Sequence, residues 1–201
     1  MKNLILIGAG GHAKSCIDVI DSSKNFKILG LIDNTRTKKI LDYKILGNDK
    51  YLDKFKNNKK ILAFISIGFI KSPRTRIKIF NRIKKLKLKF PVVISKYAHV
   101  SKSSKILEGT IVHHFVVINS NAKIGFNSII NTSATIEHDV VVGNHCHIST
   151  GSILNGGVKV GDGTFIGSRT VVREGVKIGN NCIIGMGMIV KKDLKNFSVI
   201  K

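Results

Sequence analysis

A six-residue repeat fills the second half of the sequence and constrains the fold more than any other feature. From Val100 to Val190, every sixth residue is Val, Ile or Leu, an unbroken series of sixteen positions. Four residues after each of these comes a small or aliphatic residue, for example Ala122, Ser128 or Cys146. The three residues between them are rich in Gly, Asn and Asp, which tolerate the positive φ values of tight turns.

This period predicts a parallel β-helix built from hexapeptides. One inward aliphatic residue, one half-buried small residue and one turn make a side, and three sides close a triangular coil of about 18 residues. Residues 100–195 would give a little over five such coils. Because stacked coils leave strand edges exposed, we expect oligomerisation or caps.

The first half of the chain alternates between strand and helix patterns. Short apolar runs at 4–9, 27–33 and 61–68 predict strands, and the segments 12–23 and 74–88 predict helices. A further apolar run at 90–94 predicts one more short strand. We therefore expect an α/β, Rossmann-like domain over residues 1–95 and an all-β parallel β-helix over residues 96–201.

A glycine-rich loop follows the first predicted strand, with the sequence IGAGGHAK at residues 7–14. It fits the dinucleotide fingerprint, and Asp33 lies 20 residues past Ala13, where nicotinamide enzymes place an acid on the ribose. A dehydrogenase also needs a second nucleotide-binding half or a substrate domain, whereas this chain continues as a β-helix. We therefore expect the loop to present backbone amides to the phosphates of another nucleotide.

The net charge of +22 favours an anionic partner. The lysines spread over residues 24–105 without an aromatic stacking platform or a nucleic-acid motif, so we expect small phosphorylated substrates and no nucleic acid. Three widely spaced cysteines suit a reducing, cytoplasmic location and exclude a disulfide framework. No run of 18 apolar residues occurs, so no membrane insertion is expected.

His138 and Asp139 occupy the turn that follows Ile136 in the repeat. A turn residue projects away from the core, and at a corner two neighbouring side chains can converge. The carboxylate would then accept from one imidazole nitrogen and leave the other nitrogen as a base. This pattern predicts general-base chemistry at His138.

The other histidines and the cysteines have simpler explanations. Any single histidine of the repeats could be a solvated corner residue, the set being His113, His114, His138, His145 and His147. Their adjacent or alternate spacing does not match three convergent zinc ligands, so no metal is expected. Cys146 and Cys182 fall on the small, half-buried position and Cys16 on a helix core, so none is expected to be a nucleophile. With neither a protein nucleophile nor a metal expected, the remaining mechanism is direct group transfer between two bound substrates.

The chain also resembles a known family over essentially its whole length. The resemblance lies in GAGGHAK near the N-terminus, INTSATIEHDVVVGNHCHIS in the middle and the hexapeptides to the end. These features are similar to bacterial sugar acetyltransferases of the sialic acid O-acetyltransferase type, which include N-acetyltransferases of UDP-linked 4-amino-4,6-dideoxy sugars in bacillosamine-type glycan pathways. The resemblance implies a Rossmann-like domain for the acceptor nucleotide. It also implies a left-handed β-helix that forms a homotrimer and holds acetyl-CoA between subunits.

The resemblance assigns roles to individual residues. His138 would be the general base, and Asp139 the acid that raises its basicity. The acceptor would be bound by residues of the glycine loop, of two strand ends and of the β-helix, namely Gly10, Gly11, His12, Asp33, Asn34, Gly68 and Asn131. Acetyl-CoA would be contacted by three residues, His147, Ser168 and Met186.

These observations predict acetyl transfer from acetyl-CoA to the amine of a nucleotide-activated amino sugar, UDP-linked or linked to another nucleoside diphosphate. O-acetylation of a sialic-acid-like sugar is the alternative within acyl transfer, because the same base could deprotonate a hydroxyl. A catalytically inactive β-helix scaffold is the alternative outside enzymes. Such a scaffold would require neither the glycine loop nor the His138–Asp139 turn.

Overall fold

The computed structural model describes residues 1–35 and 38–201. The chain forms two compact units. The N-terminal unit contains Met1–Gly68 and Arg74–Pro91, and the β-helix unit contains Phe69–Pro73 and Val92–Lys201. The short segment Phe69–Pro73 therefore belongs to the β-helix, although the chain on both sides of it belongs to the N-terminal unit.

A four-stranded parallel sheet forms the centre of the N-terminal unit. Its strands are β1 (Lys2–Ile7), β2 (Phe26–Ile32), β3 (Ile45–Gly47) and β4 (Ile61–Ile65), in the order β3-β2-β1-β4. The helices are α1 (Gly11–Ser23), α2 (Arg74–Lys85) and a 3-10 helix at Asp49–Phe55. The last four residues of β1 are buried, as expected for a central strand with both faces covered.

The predicted helices and first three strands are present, but two elements were missed. β3 is only three residues long, too short for a periodic signal, and the 3-10 helix is mostly polar. The start of this 3-10 helix is capped by the Asn48 side chain, which accepts from the Lys50 N–H. The run at 90–94 forms a strand only at Val93–Ile94, and that strand belongs to the β-helix unit.

Two-residue parallel strands, stacked in three flat sheets, build the β-helix unit. Pairing partners from Lys105 to Val190 are 18 residues apart, such as Ile129 with His147. Each sheet is one face of the prism. The first, named the cavity face because a cavity opens on it, contains Val93–Ile94, Ile111–Val112, Ile129–Ile130, His147–Ile148, Phe165–Ile166, Ile183–Ile184 and Val199–Ile200. The aliphatic face contains His99–Val100, Val117–Ile118, Thr135–Ile136, Ile153–Leu154, Val171–Val172 and Ile189–Val190. The lysine face contains Lys105–Ile106, Lys123–Ile124, Val141–Val142, Lys159–Val160 and Lys177–Ile178.

The repeated aliphatic residues fill the interior of the prism. Every one from Val112 to Val190 is buried, while Val100 and Ile106 at the first coil are partly buried. The small residues of the repeat from Thr110 to Cys182 are buried too, and several of them bond to the next coil through their polar atoms. For example, the Ser152 hydroxyl donates to the Gly167 carbonyl at 2.8 Å. Such bonds satisfy backbone groups at the corners, where the strands end.

The predicted fold class is confirmed: an α/β unit with a parallel sheet is followed by parallel stacks typical of a left-handed β-helix. Within the described residues, no helix is both long and apolar enough to cross a lipid bilayer.

Candidate functional site

The backbone turns the same way at every corner of the β-helix. Every sixth residue from Gly109 to Gly187 has a positive φ, the left-handed conformation favoured by Gly, Asn and Asp. Asp139 is one of these, with φ 62°. This turn points its carboxylate back toward the preceding residue, His138.

The two side chains meet as the sequence predicts. Nδ1 of His138 lies 2.9 Å from Oδ2 of Asp139, and both side chains are more than half exposed. The hydrogen bonds from His138 and, more weakly, from Asn121 hold the pKa of Asp139 below its usual value. An ionised carboxylate only accepts, so Nδ1 carries the proton and Nε2 presents its lone pair.

Gly156 lies beside Nε2 of His138, one coil further along the chain. A Cβ added at Gly156 would lie 2.6 Å from Nε2 of His138. The carbonyl of His138 accepts from the N–H of Gly157, while the N–H of Gly156 makes no hydrogen bond within the described part of the chain. The corner thus combines a base, its orienting carboxylate and a backbone donor. Sequence reasoning missed Gly156, since glycines are common at every corner.

A cavity of about 590 Å³ lies along the cavity face and the corner between the cavity and aliphatic faces. It is lined mainly by apolar groups, with Lys71 and Lys201 among its residues. All three residues predicted to contact acetyl-CoA line it, namely His147, Ser168 and Met186. The hydroxyls of Ser168 and Ser149 are 2.9 Å apart, and Met186 is largely exposed.

His147 is held from two sides. Nδ1 lies 2.7 Å from the Phe69 carbonyl oxygen, and Nε2 lies 3.3 Å from the Asn131 amide nitrogen. A carbonyl can only accept, so Nδ1 carries the proton and Nε2 accepts from Asn131. The structure therefore joins Asn131 to His147.

His147 and His113 are both buried, which corrects the explanation of these two histidines as solvated corner residues.

Asp33 holds the glycine loop of the N-terminal unit. Its Oδ2 accepts from the Ala9 N–H at 2.8 Å, and its Oδ1 accepts from the backbone N–H and hydroxyl of Thr35. Next to it, Oδ1 of Asn34 accepts from the Asp49 N–H. Asp33 thus has a positioning role that the fingerprint alone did not predict.

A second cavity, of about 440 Å³, opens at the carboxyl ends of the strands of this unit. Asp33 and Asn34 line it, and so do three residues that the sequence did not single out, Thr75, Lys78 and Arg82 of α2. Arg82 is paired with Asp49 and Asp53. The sequence signal for Lys78 and Arg82 is the basic composition of α2, whereas Thr75 has no such signal.

The remaining predicted residues lie outside that cavity lining. Gly68 lies against His12, since a Cβ added there would be 3.3 Å from Cγ of His12. A Cβ added at Gly10 or Gly11 would meet no atom within 4 Å. Packing within the chain therefore does not require these two glycines, and the space above them is open to a ligand.

A buried arginine also holds this edge of the sheet. Arg76 of α2 donates to the carbonyls of Ile65 and Ile67 at 3.1 Å and 2.6 Å. Burial lowers the pKa of its guanidinium to about 10. The Ser66 hydroxyl lies 2.6 Å from the Gly8 carbonyl, which links β4 to the glycine loop.

Comparisons with known proteins identify both units. Residues 3–83 match the PglD N-terminal domain, and residues 157–192 match the hexapeptide repeat of succinyl-transferase. In a comparison with curated protein sequences, none matched significantly.

Solved structures agree with these domain matches. The perosamine N-acetyltransferase of Caulobacter crescentus, solved as a histidine-to-asparagine mutant with CoA and GDP-perosamine, is 31% identical, with a TM-score of 0.93. The match covers 99% of this chain and 93% of that one. The acetyltransferase domain of PglB from Neisseria gonorrhoeae FA1090, solved with acetyl coenzyme A, is 25% identical, covers 96% and 93%, and has a TM-score of 0.90. WeeI from Acinetobacter baumannii AYE is 24% identical, covers 98% and 94%, and has a TM-score of 0.83, which supports the fold alone.

The resemblance inferred from the sequence motifs is confirmed by these matches. The chain therefore belongs to the hexapeptide-repeat family of bacterial sugar N-acetyltransferases that includes the perosamine N-acetyltransferase of Caulobacter crescentus.

Proposed function

We propose that this protein transfers the acetyl group of acetyl-CoA to the amine of a nucleotide-linked amino sugar. The observation that carries the proposal is the corner at which Asp139 orients His138 beside Gly156. The relative from Caulobacter crescentus, a GDP-perosamine N-acetyltransferase, supports this acceptor class. A 4-amino-4,6-dideoxy sugar on UDP or another nucleoside diphosphate is the proposed form of the acceptor.

His138 acts as the general base and then as the general acid. Its Nε2 takes a proton from the amine as the amine nitrogen bonds to the thioester carbonyl carbon. The tetrahedral intermediate then collapses, the carbon–sulfur bond breaks, and the imidazolium returns the proton to the departing CoA thiolate. Asp139 stabilises the imidazolium formed between these two steps.

The Gly156 N–H is the donor that we assign to the oxyanion. A reacting carbonyl must lie near both the base and a hydrogen-bond donor. Gly156 meets this requirement because it adjoins Nε2 of His138 and its N–H is not used by the β-helix. A preorganised donor of this kind can contribute about 10²–10³-fold to kcat.

The cavity of the β-helix unit is assigned to acetyl-CoA. Its apolar lining suits the pantetheine arm, and Lys71 and Lys201 offer cations to phosphate groups. His147, Ser168 and Met186 form its walls. The acceptor nucleotide is assigned to the N-terminal unit, near Asp33 and Asn34, with its phosphates toward the amides at Gly10 and Gly11 and its sugar toward His12 and Gly68. Asn131, which the family resemblance assigns to the acceptor, is hydrogen-bonded to His147 of the acetyl-CoA cavity.

One subunit does not complete the proposed site. The cavity lies at the corner between the cavity and aliphatic faces, at Ser149 and Ser168. His138 lies at the other edge of the aliphatic face, in the corner between Thr135–Ile136 and Val141–Val142. Three copies whose aliphatic faces turn toward a common threefold axis would bring the cavity of each copy beside His138 of the next.

The three faces of the prism support this assembly. The outward residues of the lysine face are exposed, four of the five being lysine: Lys105, Lys123, Val141, Lys159 and Lys177. The outward residues of the aliphatic face are mostly apolar and only half-buried: Val117, Thr135, Ile153 and Val171, with Ile189 at 67% exposure. Burying apolar surface favours association, whereas burying stacked lysines opposes it. A second and third copy of the chain are therefore the proposed partners of the aliphatic face.

A cytoplasmic location fits this reaction, because acetyl-CoA and nucleotide sugars are made there and the three cysteines are free. O-acetylation of a sialic-acid-like sugar remains the second candidate, since His138 could serve a hydroxyl equally well.

A substrate screen with one matched variant tests the proposal. Acetyl-CoA consumption is measured with GDP-perosamine, UDP-4-amino-4,6-dideoxy sugars and sialic acid, and the nucleotide amino sugars should be the substrates. In His12→Ala, the acceptor KM should rise while the acetyl-CoA KM changes little, because His12 belongs to the N-terminal unit. Turnover of sialic acid alone, or an equal rise of both KM values, would contradict this division of the substrates.

A further inference from the structure

A short segment of the chain, the strap Phe69–Pro73, packs on the cavity face of the β-helix. Its first residue makes the main contacts. The Phe69 carbonyl oxygen accepts from Nδ1 of His147, and its ring centroid lies 5.6 Å from that of His147 and 6.4 Å from that of Phe165. His147 and Phe165 contact each other edge to face at 5.2 Å. Three aromatic rings thus form one packed cluster.

This cluster forms one end of the donor cavity. His147 and Phe165 line the cavity and are each only 7% exposed, whereas Phe69 contacts both rings but is not part of the lining. The strap continues along the rim, where Ile70 and Lys71 line the cavity. Closely packed side chains leave little room for an added group unless their neighbours can move.

The acyl group belongs at this end if the proposed function holds. His138 and His147 lie on the same coil, nine residues apart, whereas Met186 and Val199 lie two or more coils further along. Each coil adds about 4.8 Å along the prism. Under threefold symmetry with parallel prisms, equal coils of different subunits are level. A thioester carbonyl that reaches His138 must therefore lie at the His147 end, with the nucleotide of CoA toward Met186.

We propose that Phe69 sets the acyl selectivity of the enzyme by holding His147 and Phe165 against the acyl end of the donor cavity. Phe69 is a positioning residue, since it acts through these two neighbours. With its ring in place, the cavity ends at a fixed aromatic wall that accepts acetyl and rejects longer acyl groups. This inference rests on the proposed acetyl transfer and adds the residue that limits the acyl length.

The test compares acyl donors in matched variants. With GDP-perosamine as acceptor, kcat/KM is measured for acetyl-CoA, propionyl-CoA and butyryl-CoA in the wild-type enzyme, Phe69→Ala and Phe126→Ala. One methylene in an apolar pocket typically changes selectivity about 10–200-fold. Phe69→Ala should raise the propionyl-to-acetyl ratio about tenfold or more. Phe126→Ala removes the same ring from an exposed position outside the cavity lining, so it should leave the ratio near the wild-type value.

Two results would overturn the inference. One is an unchanged ratio in Phe69→Ala, even with lower thermal stability, because that would indicate a purely structural role. The other is a wild-type enzyme that uses butyryl-CoA as well as acetyl-CoA, a result that needs no folded variant. Failure of the proposed function would look different, because the wild-type enzyme would then transfer no acyl group to any nucleotide amino sugar.

Discussion

Nε2 of His138 lies so close to Gly156 that a single added carbon at Gly156 would come within 2.6 Å of it. The absence of a side chain at this position keeps the reactive nitrogen accessible. His138 is exposed, so its ring can turn away from an obstacle without disturbing the core. We therefore expect a side chain at Gly156 to impair catalysis rather than folding.

Gly156→Ala should lower kcat at least about tenfold while the melting temperature changes little. The new methyl group would displace the base and crowd the N–H assigned to the oxyanion. Gly157→Ala is the matched control, because a Cβ there would meet no atom within 4 Å but would sit at a φ of 69°. That change should cost about 1 kcal/mol of stability and leave kcat nearly intact. The opposite pattern, with activity lost only at position 157, would contradict the assignment.

Asp139→Asn should reduce kcat about tenfold, less than removal of His138. Asn tolerates the left-handed backbone found at residue 139, so the fold should be kept. The change removes the charge that stabilises the imidazolium. Because its hydrogen bonds lower the pKa of Asp139, the carboxylate stays ionised to a lower pH than an ordinary Asp. Steady-state kinetics with thermal unfolding of both proteins checks this, and wild-type kcat in the variant would exclude a role for the charge.

Ile153→Lys on the aliphatic face should dissociate the proposed trimer and abolish acetyl transfer. A charge buried between subunits without a partner is strongly unfavourable. Lys159→Ala, on the lysine face, should change neither the assembly nor the activity, because that face is assigned to solvent. Light scattering coupled to gel filtration gives the assembly state. A fully active monomer would refute the shared site.

Cys16 and Cys146 should resist alkylation in the folded protein. Burial raises the pKa of each thiol to about 12, so both remain protonated and inaccessible at pH 8. Iodoacetamide labelling followed by mass spectrometry should modify them only after unfolding. Because burial raises the pKa of the thiols, the folded state is favoured while they are protonated. This contribution to the free energy of unfolding is present below about pH 9 and is lost as the pH rises toward about 12. Rapid labelling of either residue in the native state would show that it is not buried.

The hexapeptide period was sufficient to predict the β-helix, because each inward residue repeats at a fixed spacing. The contact between His138 and Asp139 was predictable for the same reason, since both residues occupy one corner. The pairing of His147 with Phe69 was not predictable, because these residues are 78 positions apart and no repeat relates them.

The N-terminal unit shows the same limit. The glycine loop and the strands β1, β2 and β4 follow from local patterns. Asp33 accepts from the Ala9 N–H, and Arg76 donates to carbonyls at and just after the end of β4. Both roles depend on contacts between different segments of the chain. Arg76 also resembles the other basic residues of α2 in the sequence, although it is the one that is fully buried.

The central claim is that His138 removes a proton from an amine, and the pH–rate profile of His138→Ala tests it most directly. The measurement is kcat with a nucleotide-linked amino sugar and acetyl-CoA from about pH 7 to 10, the range in which many amines lose their proton. At neutral pH the variant should lose about 10²–10⁴-fold in kcat, with both KM values near wild type. As the pH rises, activity should partly return, because solution then supplies the free amine. Near-wild-type kcat at neutral pH would remove His138 from the mechanism, and an inactive, flat profile would indicate a hydroxyl acceptor instead.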